Sequence, residues 1–385
     1  MNASDTERQY TLPVYPQLDF EPVAGEGAWL IDGSGRRILD LYGGHAVAVL
    51  GYDHQPLLDA VHTQLDTLPF QSNAVAMQVR ADAARRLVDF APPHLTHAFF
   101  VNSGAEANEN ALRLAFLATG RKRIVAVEHA FHGRTAAAAA VTWGSAKRWY
   151  AFPSLPFDVT FVPRNDIAAA QAAFDADVAA VIVEPVQGVA GAFDLDADFL
   201  DALGSAAHSA GALFIADEVQ SGMGRSGKPF AIDDTNVKAD IVTSAKSLGG
   251  GIPCGAVLTT TAIAEQCRFG DLGTTFGGGP LAAAAISAVV DAINDNGLMA
   301  NAAAREAQVR STCVAGPVHA VQGRGLLLGL VTKGPAKTVR NALLEHNILT
   351  GTSGDPHVLR ILAPLTITEH DIQQLAEALH ALPAE

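Results

Sequence analysis

Lys246 directly follows the apolar run Asp240-Ile241-Val242-Thr243-Ser244-Ala245 and is closely followed by three glycines, Gly249 to Gly251. Lysines are rarely buried without a task. A desolvated lysine with a lowered pKa is a nucleophile that can form an imine with an aldehyde; a surface lysine is the plain alternative. Three other polar groups also follow apolar runs. Asp217-Glu218-Val219-Gln220 ends ALFIA, and two adjacent carboxylates there are costly unless partnered. A carboxylate set against a pyridine nitrogen keeps it protonated and makes the ring an electron sink; a metal-binding or helix-capping aspartate fits the same position. Ser103-Gly104-Ala105 follows FFVN and opens a helical pattern. The free amides of a helix start attract a phosphate, although Ser103 also fits an ordinary N-cap with Glu106 and Glu109 in the first turn. Phe131-His132-Gly133-Arg134 follows RIVAVEHA, where an aromatic ring can stack on a planar group or simply pack in the core.

The elements needed to position these groups are legible. Short, mostly apolar runs at 97–102, 123–128, 178–184, 212–219 and 240–244 read as strands covered on both faces. Helical spacing separates two of them, with Phe199, Leu200, Leu203 and Ala207 followed by Gly211 as a stop. Strand–helix alternation predicts an α/β fold around a mostly parallel sheet, and ligands of such sheets sit at the carboxyl ends of the strands. All four polar motifs fall at such ends, and this coincidence outweighs any one of them. Residues 27–42 predict a hairpin turning at Asp32-Gly33-Ser34-Gly35. The alanine run 136–140 predicts a helix. Beyond about 285 an Ala-rich helix, a strand in LLLGLVT and an amphipathic helix near 369–381 predict a smaller α+β unit. The expected division is an N-terminal segment 1–55, a large domain 56–285 and a C-terminal domain 286–385.

Bulk properties narrow the function. The chain of 385 residues carries 26 Lys and Arg against 40 Asp and Glu, a net charge of −14, which repels nucleic acid and anionic membranes. Three scattered cysteines, Cys254, Cys267 and Cys313, form no CxxC pair; they read as reduced thiols in a cytoplasmic protein, and no metal site is expected. The start, MNASDTERQYTLPVYP, has no apolar leader pattern. GRSGK at 224–228 lacks the P-loop spacing. GMGRSG at 222–227 comes late and is followed by Lys228-Pro229 where a dinucleotide-binding helix should run. Gly-x-Ser-x-Gly is absent.

In order and interval, these motifs resemble the class III, fold-type I aminotransferases that use pyridoxal 5'-phosphate, closest to the acetylornithine/ornithine branch. The carrying strings include FFVNSGAEANENALRLA, EHAFHGRT, IVEPVQG, FIADEVQSGMGRSGKPFA, TSAKSLGGGIPCGAV, GTTFGGGPLAAAA and LRILAPLTIT. The resemblance extends from Tyr15 to about Leu379. It implies a seven-stranded-type sheet with a smaller α+β domain. Lys246 would hold the cofactor as a Schiff base and shuttle the proton, and Asp217 would pair with the pyridine nitrogen. Gln220 would lie near the ring hydroxyl, with Glu184 behind it. Val219 and Phe131 would sandwich the ring, with His132 beside them, and Ser103, Gly104 and Ala105 would hold the phosphate. Thr275 would reach the cofactor phosphate of a neighbouring subunit, which implies a homodimer. Arg134, Arg360 and Tyr15 would bind substrate carboxylates, and His45 would lie near the substrate entrance. An amino-acid donor and then 2-oxoglutarate or another keto acid would react in ping-pong order. The leading expectation is transfer of the terminal amino group of an N-acylated diamino acid, in arginine or lysine biosynthesis. A class III aminotransferase for another amine or amino acid is the alternative, followed by an aminomutase, a decarboxylase or an inactive cofactor-binding protein.

The chain departs from the resemblance in three places. After IVEPVQG this branch usually has a glutamate, which pairs with the arginine matching Arg360 while an ω-amino donor is bound; here Val189 follows. His45 stands where an apolar residue or tyrosine is usual. Leu272 and Gly279 stand where histidine and asparagine are frequent.

Overall fold

The computed structural model describes residues 3–384. Its centre is a seven-stranded sheet in the order His97–Val101, Gly255–Thr259, Ile241–Ser244, Leu213–Asp217, Val178–Val183, Arg123–Val127, Asp158–Val162. Only Gly255–Thr259 runs against its two neighbours; the remaining pairs are parallel. Helices cover both faces, so an interior strand such as Val178–Val183 is buried along its whole length, as expected of a doubly covered parallel sheet. The helix Gly104–Thr119 buries Ala107, Ala111, Leu112, Leu114 and Ala115 on one face of the sheet. The left-handed Gly120, at φ 65°, stops it.

Parallel pairing brings the strand ends to one edge. Asp217 is opposite Thr243 and Val183 opposite Ala216, while in the antiparallel pair the end at Val101 meets the start at Gly255. Glu184, Asp217, Lys246 and Ser103 each lie on or just beyond such an end. The five strands read from the sequence are present. The run at 212–219 stops at Asp217 because the Asp217 side chain accepts the Val219 N–H at 3.0 Å and turns the backbone out of the sheet. Asp158–Val162 and Gly255–Thr259 escape the apolar-run criterion: the first is a partly exposed edge strand and the second emerges directly from a glycine-rich loop.

The chain ends build the remainder. Trp29–Asp32 and Arg37–Asp40 form the predicted hairpin, with Gly35 at φ 86° in its turn. Residues 348–349 add a parallel strand beside Leu39 and Asp40, and the Leu362 N–H donates to the Leu41 carbonyl at 2.7 Å. N- and C-terminal segments are thereby tied together. A second sheet comprises Val318–Arg324, Leu327–Thr332, Val358–Ile361 and Gly351–Thr352. The helices Ala136–Ala140, Ala197–Ser209, Pro280–Asp295 and Glu369–Ala381 match the expected helical stretches. Among the described residues, no helix is long and apolar enough to cross a membrane.

Candidate active site

A cavity of about 460 Å³ opens where the strand ends converge, and Ser103, Gly104, Phe131, Glu184, Asp217 and Lys246 all line it. Lys246 has the left-handed φ of +47°, a conformation that is strained for a side-chain-bearing residue and concentrates at functional sites. It starts a short 3₁₀ turn that ends at Gly250. Gly250 has φ +57°, and a Cβ there would also meet Leu57 Cδ2 at 2.6 Å, so the turn favours glycine. Burial lowers the Lys246 ammonium below its ordinary value. The negative charges of Asp217 and Glu184 oppose this, and Arg360 and Arg225 reinforce it. Among the described residues, Lys246 forms no ion pair.

Asp217 is buried and firmly held. Its Oδ2 accepts from Asn108 Nδ2 and lies by His132 Nδ1, both at 2.7 Å, and its Oδ1 accepts from the Val219 N–H. A carboxylate offers about four acceptor directions, so these contacts leave one free. Asn108 is fixed in turn: it donates to the His132 carbonyl at 2.7 Å and accepts from Thr243 Oγ1 at 2.7 Å. The buried Glu184 accepts the N–H groups of Phe131 at 2.7 Å and Gly188 at 3.2 Å. Burial, followed by the nearby Asp217 charge, pushes its carboxyl up to about 7.

Opposite this acid end lies the start of the helix Gly104–Thr119. Ser103 is its N-cap and accepts the Glu106 N–H at 3.2 Å. A Cβ at position 104 would sit 2.6 Å from Val219 Cγ1, so Val219 can close against the loop only because position 104 is glycine. Ala105 also lines the cavity. Gln220 donates from Nε2 to the His45 carbonyl at 3.4 Å, while its buried Oε1 has no donor.

Of the residues expected from the sequence, the cavity gathers Lys246, Asp217, Ser103, Gly104, Ala105, Phe131, His132, Glu184, Val219, Gln220 and Arg134. Four stand apart. Arg360 is buried in Val358–Ile361 and gives Nε to Thr352 O at 2.8 Å, Nη1 to Gly188 O at 3.3 Å and Nη2 to the Tyr42 hydroxyl at 2.9 Å. No carboxylate pairs with it among the described residues, in line with valine at 189. His45 has a left-handed backbone, and its ring lies 4.6 Å from that of Tyr42; burial, then the charges of Arg360, Lys246 and Arg134, lower its pKa. Tyr15 is 77% exposed and does not line the cavity; its neighbours Pro16, Gln17 and Leu18 line a separate outer cavity with Pro335 and Thr352. Thr275 is also exposed and off the cavity of its own chain. Its neighbour Thr274 accepts Asn102 Nδ2 at 3.2 Å, which holds that loop beside the Ser103 turn.

Sequence reasoning passed over Asn108 and Tyr42. A buried asparagine amid Ala and Leu in mid-helix is a recognisable signal, since a buried amide needs partners. Tyr42 gave none.

Residues 14–382 match the model of the family "Aminotransferase class-III". An acetylornithine aminotransferase of Methanopyrus kandleri is 40% identical, with 100% of both chains aligned. An acetylornithine/succinyldiaminopimelate aminotransferase of Yersinia pestis is 39% identical over 96% of this chain and 94% of its own. The ornithine aminotransferase of Toxoplasma gondii superposes with a TM-score of 0.91 at 26% identity, covering 98% of this chain and 93% of that one. A fold-type I transferase with a lysine and a clamped aspartate at the strand ends is thus the class that fold and site define. The chain belongs to the class III aminotransferases, and it is a pyridoxal-phosphate-dependent transaminase acting between an amino-acid donor and a keto-acid acceptor. The residues present fit that cofactor: Asp217 keeps one acceptor direction for a ring N–H, Gln220 Oε1 awaits a donor, and Lys246 has no competing ion pair.

Proposed function

We propose that this transaminase moves the terminal amino group of an N-acylated diamino acid of the acetylornithine type to 2-oxoglutarate. It would do so as a cytoplasmic homodimer in which Thr275 of each chain serves the neighbour's cofactor. The observation that carries the reading is the cavity in which Lys246 and Asp217 meet under Arg134, together with relatives named for acetylornithine across the whole chain. The exposure of Thr275 suits a contact with a second chain.

Pyridoxal phosphate, when bound, supplies an electron sink for the carbon that loses a proton. This chain's residues do the rest. Lys246 Nζ, its ammonium destabilised by burial, is more readily available as a base and carries the proton from the donor carbon to its new position. Asp217, held by its three contacts, would stabilise positive charge on the ring nitrogen. The Ser103 turn supplies helix-start amides and a hydroxyl to the phosphate. Arg134 presents a planar fork for the donor's carboxylate.

A second reading, a class III aminotransferase for another amine or amino acid, is favoured by one observation: Arg360 spends its fork on two carbonyls and a phenol. A screen of the donor half-reaction, followed by loss of the cofactor's visible absorption, decides between them. N-acylated diamino acids and glutamate should both convert the cofactor. Conversion by a simple amine while both fail would overturn the leading reading.

A further inference from the structure

Four consecutive residues, Gly43, Gly44, His45 and Ala46, have φ between +53° and +69°. The chain makes one left-handed turn there. The Ala46 N–H donates to the Tyr42 carbonyl at 3.1 Å, and the N–H groups of Val47 and Ala48 donate to the Gly43 carbonyl at 2.8 and 3.0 Å. Left-handed backbone is costly for a residue with a side chain. Among the described residues, His45 and Ala46 are the one adjacent pair other than glycine to adopt it. Such strain persists only where the surroundings over-determine it, and it gathers at functional sites.

Everything the turn presents leads to the cofactor cavity. The Ala46 carbonyl accepts Ser247 Oγ at 2.8 Å, beside Lys246, whose own φ is left-handed. The His45 carbonyl accepts Gln220 Nε2 at 3.4 Å, and the Tyr42 hydroxyl accepts Arg360 Nη2 at 2.9 Å. Val47, the next residue, lines the cavity itself. The turn is pressed against the C-terminal unit, since a Cβ at Gly43 would stand 2.7 Å from the Leu362 carbonyl oxygen.

One side chain fastens this turn. Asp40, 1% exposed, ends the strand Arg37–Asp40. Its Oδ1 accepts the N–H groups of Tyr42 at 2.8 Å and Gly43 at 2.9 Å, and the Tyr52 hydroxyl donates to Oδ2. No cation pairs with Asp40 among the described residues. A buried carboxyl is costly without partners, and two of its three partners here are the opening amides of the turn.

We infer that Asp40 is a positioning residue of this transaminase: it holds the strained turn 43–46, through which the N-terminal segment sets Ser247 beside Lys246, Gln220 and Arg360. Asp40 does not line the cavity and acts only through the turn. The inference rests on the reading of Lys246 and Gln220 as cofactor groups.

The test uses the full chain, freed of cofactor and reloaded with pyridoxal phosphate. Asp40→Ala should raise the cofactor Kd about tenfold, the scale of hydrogen bonds lost from a carboxylate. Amide exchange of residues 46–48 in the loaded protein should quicken by about the same factor. Gly44→Ala is the second arm. Gly44 is exposed, its φ is +54°, and nothing lies within 4 Å of an added Cβ, so alanine adds strain without a clash. Alone, with Asp40 keeping the turn formed, Gly44→Ala should change the cofactor Kd less than about twofold. Added to Asp40→Ala it should raise Kd about fivefold further, because a state already depleted is depleted again in proportion. If Asp40 merely supports the fold, Gly44→Ala has the same effect in both backgrounds, and that result overturns the inference. So does an Asp40→Ala protein with lowered Tm but unchanged Kd and unchanged exchange at 46–48. Should Asp40→Ala not fold, Asp40→Asn keeps the shape with a weaker acceptor. It should raise Kd about threefold and quicken the same amides; no change in either is equally fatal. Lys246 is judged by its own variant: if Lys246→Ala keeps the cofactor's visible absorption, the cofactor reading fails, while the coupling of Asp40 to Gly44 still decides this inference.

Discussion

Around Asp217 the polar groups are locked to one another: Asn108, His132 and the Val219 amide meet the carboxylate, and Thr243 holds Asn108. Across the wall made by Phe131 and Val189 lies a second cavity of about 470 Å³, lined by Arg134, Arg148 and Arg164. The first region is preorganised around one carboxylate, and misplacing any member leaves a buried charge without its partners. The second holds its guanidiniums against rings and neutral acceptors, with the Glu184, Asp355 and Glu128 charges acting on Arg164. The two adjoining chambers are thus held by different means.

The sharpest way to break this contrast lies on the chemical side. Lys246→Ala should abolish the visible absorption of the bound cofactor and lower transamination at least about a thousandfold, the upper range of a lost acid–base group; a coloured, active variant would remove Lys246 from the centre. Asp217→Asn keeps the shape and removes the charge, and should cost about a hundredfold in kcat with circular dichroism unchanged. A loss confined to KM would mean that the carboxylate only binds. Uptake of cofactor by the apoenzyme should quicken about tenfold per pH unit, because only the neutral amine attacks, and level off below the ordinary lysine value of 10.5, since burial lowers the Lys246 pKa. A rate still climbing past that value contradicts the depression. Asn108→Ala withdraws a hydrogen bond from a charged group, worth about 1.5–3 kcal/mol, so cofactor Kd should rise about tenfold or more and Tm should fall. Arg148→Gln, by contrast, should leave stability within about 0.5 kcal/mol; equal losses in the two variants would erase the distinction between the regions. The smallest effect is expected at the wall. Val189→Glu should raise kcat/KM for the N-acetyl donor roughly fivefold, the worth of about 1 kcal/mol of partly exposed ion pairing; an unchanged value would show that position 189 does not govern the arginines.

How much of this was legible follows the same division. The strand ends carrying Asp217 and Lys246 announce themselves because polar residues interrupt apolar runs, and the doubly covered sheet makes those runs continuous. Asn108 was legible in principle, as a polar residue within a helix face of Ala and Leu. The second chamber was not. Arg148, Arg164 and Trp149 lie in loops or a single short turn, where no periodicity encodes direction, and only the folded chain brings them to one wall. Tyr15 shows the converse: its motif position promised a substrate contact, but the segment 11–21 forms neither helix nor strand, so no regular element fixes its place.

Asn108 has one more consequence. By bonding Asp217 on one strand and Thr243 on the next, which are register partners, a single helix side chain staples two strands together at the point where the cofactor's ring nitrogen belongs. A slip of one residue, about 3.3 Å, would break the staple and displace the acid together. Cofactor affinity is therefore tied to sheet registry, and because a bound ligand stabilises the state that binds it, the vitamin acts as a rivet for the strands. The visible absorption of the cofactor-loaded protein would then gauge whether its central sheet is correctly assembled.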